Sequence, residues 1–163
     1  MPHLPAEWIA HLPAMPSLRL GSRDRGGNPR VCRALAAALQ HDGRMLVLLA
    51  ERNAPLVVAA VRETGQVALL ATSPRTYRTL HLKGHDAHVA LACADHALLL
   101  TQQRATLAQE LSEVDGFANA PFLHNWFDVA LKDLVAVHFS IAGAWNQTPG
   151  PQAGQVIELE PTP

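Results

Sequence analysis

Apolar and polar positions fall into short runs along most of the chain. Residues 1–17 hold four prolines among scattered apolar residues, which predicts an irregular arm with one helical turn around Ala6–His11. "LRLGSR", "DRGGN" and "PRVCRALAAAL" then read as strand, tight turn and strand, with Asp24, Gly26, Gly27 and Asn28 suited to the positive-φ positions of a hairpin. "RMLVLLA" (Arg44–Ala50) is an unbroken apolar run of strand length and predicts a third strand buried on both faces. Asn53–Gly65 predicts a short helix capped by Asn53, with Pro55 in its first turn, Gly65 as its stop, and Leu56, Ala59 and Ala60 on its inner face. "QVALLAT" is a fourth strand. "RTLHLKGHDAHVALACA" is a long fifth strand bent at Gly84, with "HVALACA" expected to be buried. Leu100, Leu107, Leu111 and Val114 recur at helical spacing, and a second helix from Pro121 to about Leu131 presents Phe122, Trp126 and Val129. Leu134–Trp145 is a sixth strand, "NQTPGPQAG" a Pro/Gly turn, and "QVIEL" a short last strand.

Strands come in runs with short connections. That order predicts a mainly β, α+β domain: a six-stranded antiparallel barrel with flanking helices rather than a doubly wound parallel sheet. The 163 residues suffice for one domain with a real core, taken as 18–163 behind the arm 1–17. There is no internal repeat.

Composition removes several classes of function. A net charge of −1 argues against a general nucleic-acid binder. No apolar run approaches the roughly 18–20 residues needed to cross a bilayer, and the N-terminus lacks the basic-then-apolar pattern of a signal peptide. Cys32 and Cys93 have no CxxC spacing and read as small buried hydrophobes inside strands. Together these predict a cytoplasmic protein with no nucleic-acid or membrane partner. There is no G-x-G-x-x-G after a strand, no P-loop and no G-x-S-x-G elbow, so no catalytic residue can be named.

The stretch "TSPRTYRTLHLKG" (Thr72–Gly84) carries the most chemistry. It sets two arginines, a lysine, a tyrosine and four other hydroxyls between apparent core strands. Arg75, Arg78 and Lys83, with Ser73 and Thr79, suit an anion, because guanidinium groups bind phosphate through paired hydrogen bonds and hydroxyls fill the remaining acceptor sites. If Arg78–Lys83 is extended, Thr79, His81 and Lys83 share one face, while Arg78, Leu80 and Leu82 share the other. A ligand face and a solvated face that hinders edge aggregation both fit this pattern. His81, His85 and His88 lie close together in sequence, but on a strand they do not all share a face. Ordinary half-buried histidines are the simpler reading, and no metal site is expected. Phe122, Trp126 and Phe127 suit core packing or a dimer contact, and Glu110, Glu113 and Asp115 suit a solvated helix face.

"LGSRDRGGNPRVCRA" followed by "RMLVLLAERNAPLVVAAVRETGQVALLATSPRTYRTLHLKG" resembles the pyridoxamine 5'-phosphate oxidase-like family, the FMN-binding split barrels. The tail "WNQTPGPQAG" is similar to the ending of a bacterial subgroup of that family. The resemblance covers about residues 18–154. It implies a homodimer with FMN in grooves between subunits, its phosphate held by basic and hydroxyl side chains. Carried over, the second-strand arginine falls on Arg33, with Arg30 as the other choice, and the loop before the helix on Glu51-Arg52-Asn53. The fifth strand supplies Tyr77, Arg78, Thr79 and Lys83, and Trp145 and Gln147 lie where the last strand reaches the partner's flavin. Arg75 has no family counterpart and is included for its charge, with Ser73 beside it.

Two departures qualify the resemblance. Glu51 is acidic where the oxidases are basic, and "QVIELEPTP" lacks their basic, aromatic ending. Pyridoxamine phosphate oxidation therefore does not carry over, and the substrate is unknown. The implied function is an FMN-dependent oxidoreductase. The alternatives are a flavin- or haem-binding protein without turnover, and a cofactor-less dimeric interaction module. Haem enters because some relatives bind it through a histidine, with His124 beside Trp126 and Phe127 as a loose candidate.

Overall fold

The structure, a computed structural model, describes residues 3–115 and 121–161. The side chains of Asp115, Phe122 and His124, singled out above, lie outside the described residues. The chain runs α1 (Ala6–His11), β1 (Ser17–Arg23), β2 (Pro29–Ala34), β3 (Ala36–Leu39), β4 (Arg44–Ala50), α2 (Pro55–Thr64), β5 (Val67–Thr72), β6 (Thr79–Gly84), β7 (His88–Leu91), α3 (Ala94–Asp115), α4 (Pro121–Phe127), β8 (Leu134–Ser140), β9 (Gly143–Asn146) and β10 (Gln155–Ile157). All strand pairs are antiparallel. They form a six-stranded sheet in the order β10-β9-β6-β5-β1-β2 and a four-stranded sheet in the order β3-β4-β8-β7.

The six-stranded barrel expected from the sequence takes the form of two sheets, with ten strands among the described residues. Three of the expected long strands each break once and contribute a piece to both sheets: β2 and β3 around Leu35, β6 and β7 after Gly84, and β8 and β9 at residues 141–142. At the first break the amide of Leu35 still donates to the carbonyl of Leu48, so the chain bends without losing that hydrogen bond. The second break depends on a missing side chain. A Cβ at Gly84 would lie 2.5 Å from the Phe139 ring and 2.8 Å from the Ser140 carbonyl oxygen. Asp86 fixes the bend by accepting from the Ser140 amide and hydroxyl, both at 2.7 Å, and from Arg44 at 3.1 Å. Gly84→Ala is therefore expected to cost about 1–3 kcal/mol by overpacking, read as a lower urea midpoint at unchanged slope.

Between the sheets, Leu18, Leu20, Met45, Val47, Leu49, Leu69, Leu80, Leu82, Val137 and Phe139 form one core. The proline-rich arm belongs to this core: Leu4, Trp8, Leu12 and Met15 are all buried in it. "RMLVLLA" is buried along nearly its whole length because its sheet is covered on both sides, by the core and by the α3 packing that holds Leu99 and Leu100.

Some local expectations shift. Ala54, not Asn53, caps α2, because Asn53 closes a single 3-10 turn over Glu51–Asn53. Which stripe is buried is set by how α2 docks, here against β1, β2 and β7. The buried residues are Val57, Val58, Ala60 and Val61, while Leu56 and Ala59, expected on the inner face, are exposed. Gly65 does end α2, in the left-handed region at φ 65°. β7 is short and half-exposed, at the edge of its sheet, not buried. Cys32 is buried as expected, but Cys93 lies exposed between β7 and α3. Among the described residues no helix is long and apolar enough to cross a membrane.

Candidate functional site

Register places the outward residues of the six-stranded sheet in rows. One row runs Val156, Trp145, His81, Leu70, Arg19, Arg33, each paired with the next across adjacent strands. The neighbouring row runs Gly143, Lys83, Ala68, Gly21, Val31. The inward rows, Leu80–Ala71–Leu18–Ala34 and Leu82–Leu69–Leu20–Cys32, enter the core. The outer face therefore combines apolar patches, such as exposed Val31 and Val156 and half-exposed Leu70, with aromatic rings and cations.

Arg19 and Arg33 are directly opposed across β1 and β2. Like charges so placed repel, and among the described residues neither lies within ion-pair distance of a carboxylate. The Arg33 guanidinium rests 3.7 Å above the Trp126 ring, and Arg19 donates to the Leu18 carbonyl. Desolvation, and then the Arg19 charge, bring the Arg33 pKa down to about 10. A pair of cations held against mutual repulsion, with most N–H donors unused, has the chemistry of an oxyanion site.

Two and three strands along the same row from Arg19, roughly 10 and 14 Å away at ordinary strand spacing, His81 and Trp145 approach with ring centroids 5.5 Å apart. The indole folds across Gly143, where a Cβ would meet it at 2.7 Å. The Lys83 ammonium lies 4.8 Å from the same ring, a cation–π contact. Burial first, and the Lys83 charge second, lower the His81 pKa below its ordinary 6.5. The unfolded chain then binds more protons near that pH, so this group favours folding above about 6.5 and opposes it as pH falls below. Its NMR titration midpoint is expected below 6.5. In Lys83→Met it should rise yet stay below 6.5, because desolvation is the larger cause.

The structure brings together only some of the residues singled out in the sequence. Arg33, Lys83 and Trp145 share the outer face. Arg30 does not: it alternates with the outward Val31 and Arg33, and its guanidinium pairs with Asp24 at 3.3 Å. Ser73 and Arg75 are turned towards α3: the Ser73 hydroxyl donates to Glu110 at 2.5 Å, and Arg75 reaches Glu110 at 3.3 Å and Glu113 at 3.0 Å. Glu110 is therefore a buried carboxylate that ties α3 to this loop, not part of a solvated face. Tyr77 is exposed and held at φ 58°, a costly conformation for an aromatic residue. Thr79 is buried and bonds to Thr72, and Gln147 is exposed, its amide donating to Thr79. Arg78 lies off this face, over Trp8. Arg52 is exposed, near the Asp128 carbonyl at 3.5 Å, while Glu51 is paired with Arg62 at 3.1 Å. His81, His85 and His88 do not converge: His88 stacks on His138 in the other sheet, and among the described residues no group of three metal-ligating side chains forms. Arg19 is the residue that sequence reading missed. Its alternation with Leu18 and Leu20 marks it as outward, but only register sets it against Arg33.

No protein-family model matches the chain, and no curated protein does. Solved structures match its fold. HupZ of Group A Streptococcus superposes with a TM-score of 0.56 at 10% identity, over 93% of this chain and 100% of that one. A pyridoxamine 5'-phosphate oxidase-related, FMN-binding protein of Nostoc punctiforme superposes with a TM-score of 0.51 at 14% identity, over 90% and 85%. HutZ, the haem storage protein of Vibrio cholerae, does so with a TM-score of 0.51 at 14% identity, over 88% and 94%. The chain has the fold of the pyridoxamine 5'-phosphate oxidase-like proteins, a mixed α+β architecture built on two antiparallel sheets.

Proposed function

We propose that this is an FMN-binding oxidoreductase of the split-barrel type, working as a homodimer in the cytoplasm. The continuity of β2 with β3, β6 with β7 and β8 with β9 supports a barrel of six long strands. The observation that carries the reading is the opposed, carboxylate-free pair Arg19 and Arg33 on the same row as His81 and Trp145. In this reading Arg19 and Arg33 hold the phosphate, and Trp145, His81 and Lys83 bound the flat ring system. FMN, when bound, supplies hydride transfer. The protein orients it and keeps water from the reacting face. Val31, exposed on the neighbouring row, suits burial against a second copy.

Haem is the second reading. It is favoured by the likeness to HutZ and by His81, an imidazole kept neutral at pH 7 beside an indole, the state in which a ring nitrogen can ligate metal. The test is an absorption spectrum of purified protein, before and after adding FMN and desalting, and separately after adding haem. Retained flavin bands support the first reading and a retained haem band the second. Protein that retains neither removes both and leaves a cofactor-less dimeric module.

A further inference from the structure

A second site lies at the β10 edge of the six-stranded sheet, in a cleft of about 1190 Å³ walled by α1, the loop between β5 and β6, and the turn between β9 and β10 with β10 itself. Arg78 stands in it, half-buried, its guanidinium 4.7 Å above the ring of Trp8. Among the described residues that guanidinium has no hydrogen-bond acceptor and no ion-pair partner, in contrast to Arg75, which is held by two glutamates.

Three polar neighbours in the cleft have their acceptor atoms engaged and their donors uncommitted. The Asn146 Oδ1 accepts from the Thr148 amide at 2.9 Å, which leaves its NH₂ group to donate. The Thr148 Oγ1 accepts from the Thr79 amide at 3.0 Å, and the Thr76 Oγ1 from the Arg78 amide at 3.3 Å, which leaves both hydroxyl protons. A guanidinium, an amide NH₂ and two hydroxyls lining one cleft, all with donors to spare, form an oxyanion-binding set. The rest of the wall is mixed: Pro149, Pro151 and Val156 are apolar, Gln152 and Gln155 are polar, and Glu7, Glu158 and Glu160 add negative charge. That charge weighs against a multiply charged anion such as phosphate, and the prolines favour a ligand with an apolar body.

We propose that this cleft binds the carboxylate of a small apolar organic acid, with Arg78 as its anchor and Asn146, Thr148 and Thr76 as further donors. The inference is independent of the flavin reading, which uses Arg19, Arg33 and Lys83.

Benzoate titrated into the full chain, followed by backbone amide NMR shifts, tests it. Saturable shifts centred on residues 76–78 and 146–148 are expected, with a Kd in roughly the millimolar range, as for one charge-assisted pair plus modest apolar contact. Inorganic phosphate should bind at least tenfold more weakly. Arg78→Met should weaken benzoate at least tenfold. So should Asn146→Asp, which keeps the acceptor for the Thr148 amide and replaces the donor with charge, and which remains informative if Arg78→Met fails to fold. Arg33→Met should leave benzoate binding unchanged. No saturable shift, phosphate binding as tight as benzoate, or a loss with Arg33→Met instead of Asn146→Asp would each overturn the proposal.

Discussion

Replacing Arg19 and Arg33 together by methionine is expected to weaken FMN retention by roughly 10²–10⁴-fold without weakening the fold. Each guanidinium would lose a charge-assisted contact to phosphate worth about 1.5–3 kcal/mol, and each 1.4 kcal/mol is tenfold in affinity. The same change removes two like charges that face each other across β1 and β2 with no carboxylate near them. Methionine keeps an apolar stem over Trp126. The melting temperature of the cofactor-free double variant should therefore match or exceed that of the parent. Stability and affinity moving in opposite directions is the signature of residues retained for a ligand at some cost to the fold. FMN affinity within threefold of the parent would remove these arginines from the phosphate site. A fall in both quantities would mean that the pair serves the fold instead.

The second large effect is expected at Glu110. Its carboxylate is buried and accepts from the Ser73 hydroxyl at 2.5 Å and the Arg75 amide at 3.3 Å. Glu110→Ala strands the Ser73 hydroxyl, which is only 3% exposed. Losing a hydrogen bond to a charged acceptor costs about 1.5–3 kcal/mol. The ion pair with Arg75 adds little, because Arg75 is half-exposed and keeps Glu113 at 3.0 Å. The total, about 2–3 kcal/mol, corresponds to a fall of roughly 5–10 °C in Tm for a chain of this size. Glu110→Gln retains an acceptor and should lose about half as much, and Glu113→Ala should change stability by less than about 0.5 kcal/mol. In the proposed reading none of the three alters FMN retention, because Ser73 and Arg75 already have partners. A loss of flavin in Glu110→Gln at full stability would return Ser73 and Arg75 to the cofactor site.

Those two predictions concern residues that sequence reading treated differently. Ser73, Arg75, Arg78 and Lys83 lie within one stretch of eleven residues and read as one basic cluster. The fold distributes them over three environments. Lys83 sits on the sheet face beside Trp145, Arg78 caps Trp8 in the cleft, and Ser73 and Arg75 are held by a glutamate 35–37 positions further on. Parity anticipated the first division, because Arg78 and Lys83 fall on opposite faces of an extended strand. It could not anticipate the third, because a contact with α3 depends on where the helix docks. Glu51 shows the same limit: as a charge in the phosphate loop it argued against an anion, but in the fold Arg62 offsets it.

What the chain determines by itself is what a local period can express. "RMLVLLA" specifies β4 to the residue, the Ala6–His11 turn forms as expected, and Gly65 ends α2 in the left-handed conformation that glycine adopts without a Cβ clash. Antiparallel order follows from short connections between successive strands. Register, strand breaks and helix docking are set between distant segments, by which side chains fill the space at each crossing. Gly84 bends its strand because Phe139 occupies the place a Cβ would need. Arg19 meets Arg33, and Trp145 meets His81, because four separate hairpin and crossover pairings align their rows. A one-residue slip in any of them would turn that strand's outward residues into the core, so the burial of Leu18, Leu20, Leu69, Leu80 and Leu82 is what assembles the candidate site on the opposite face.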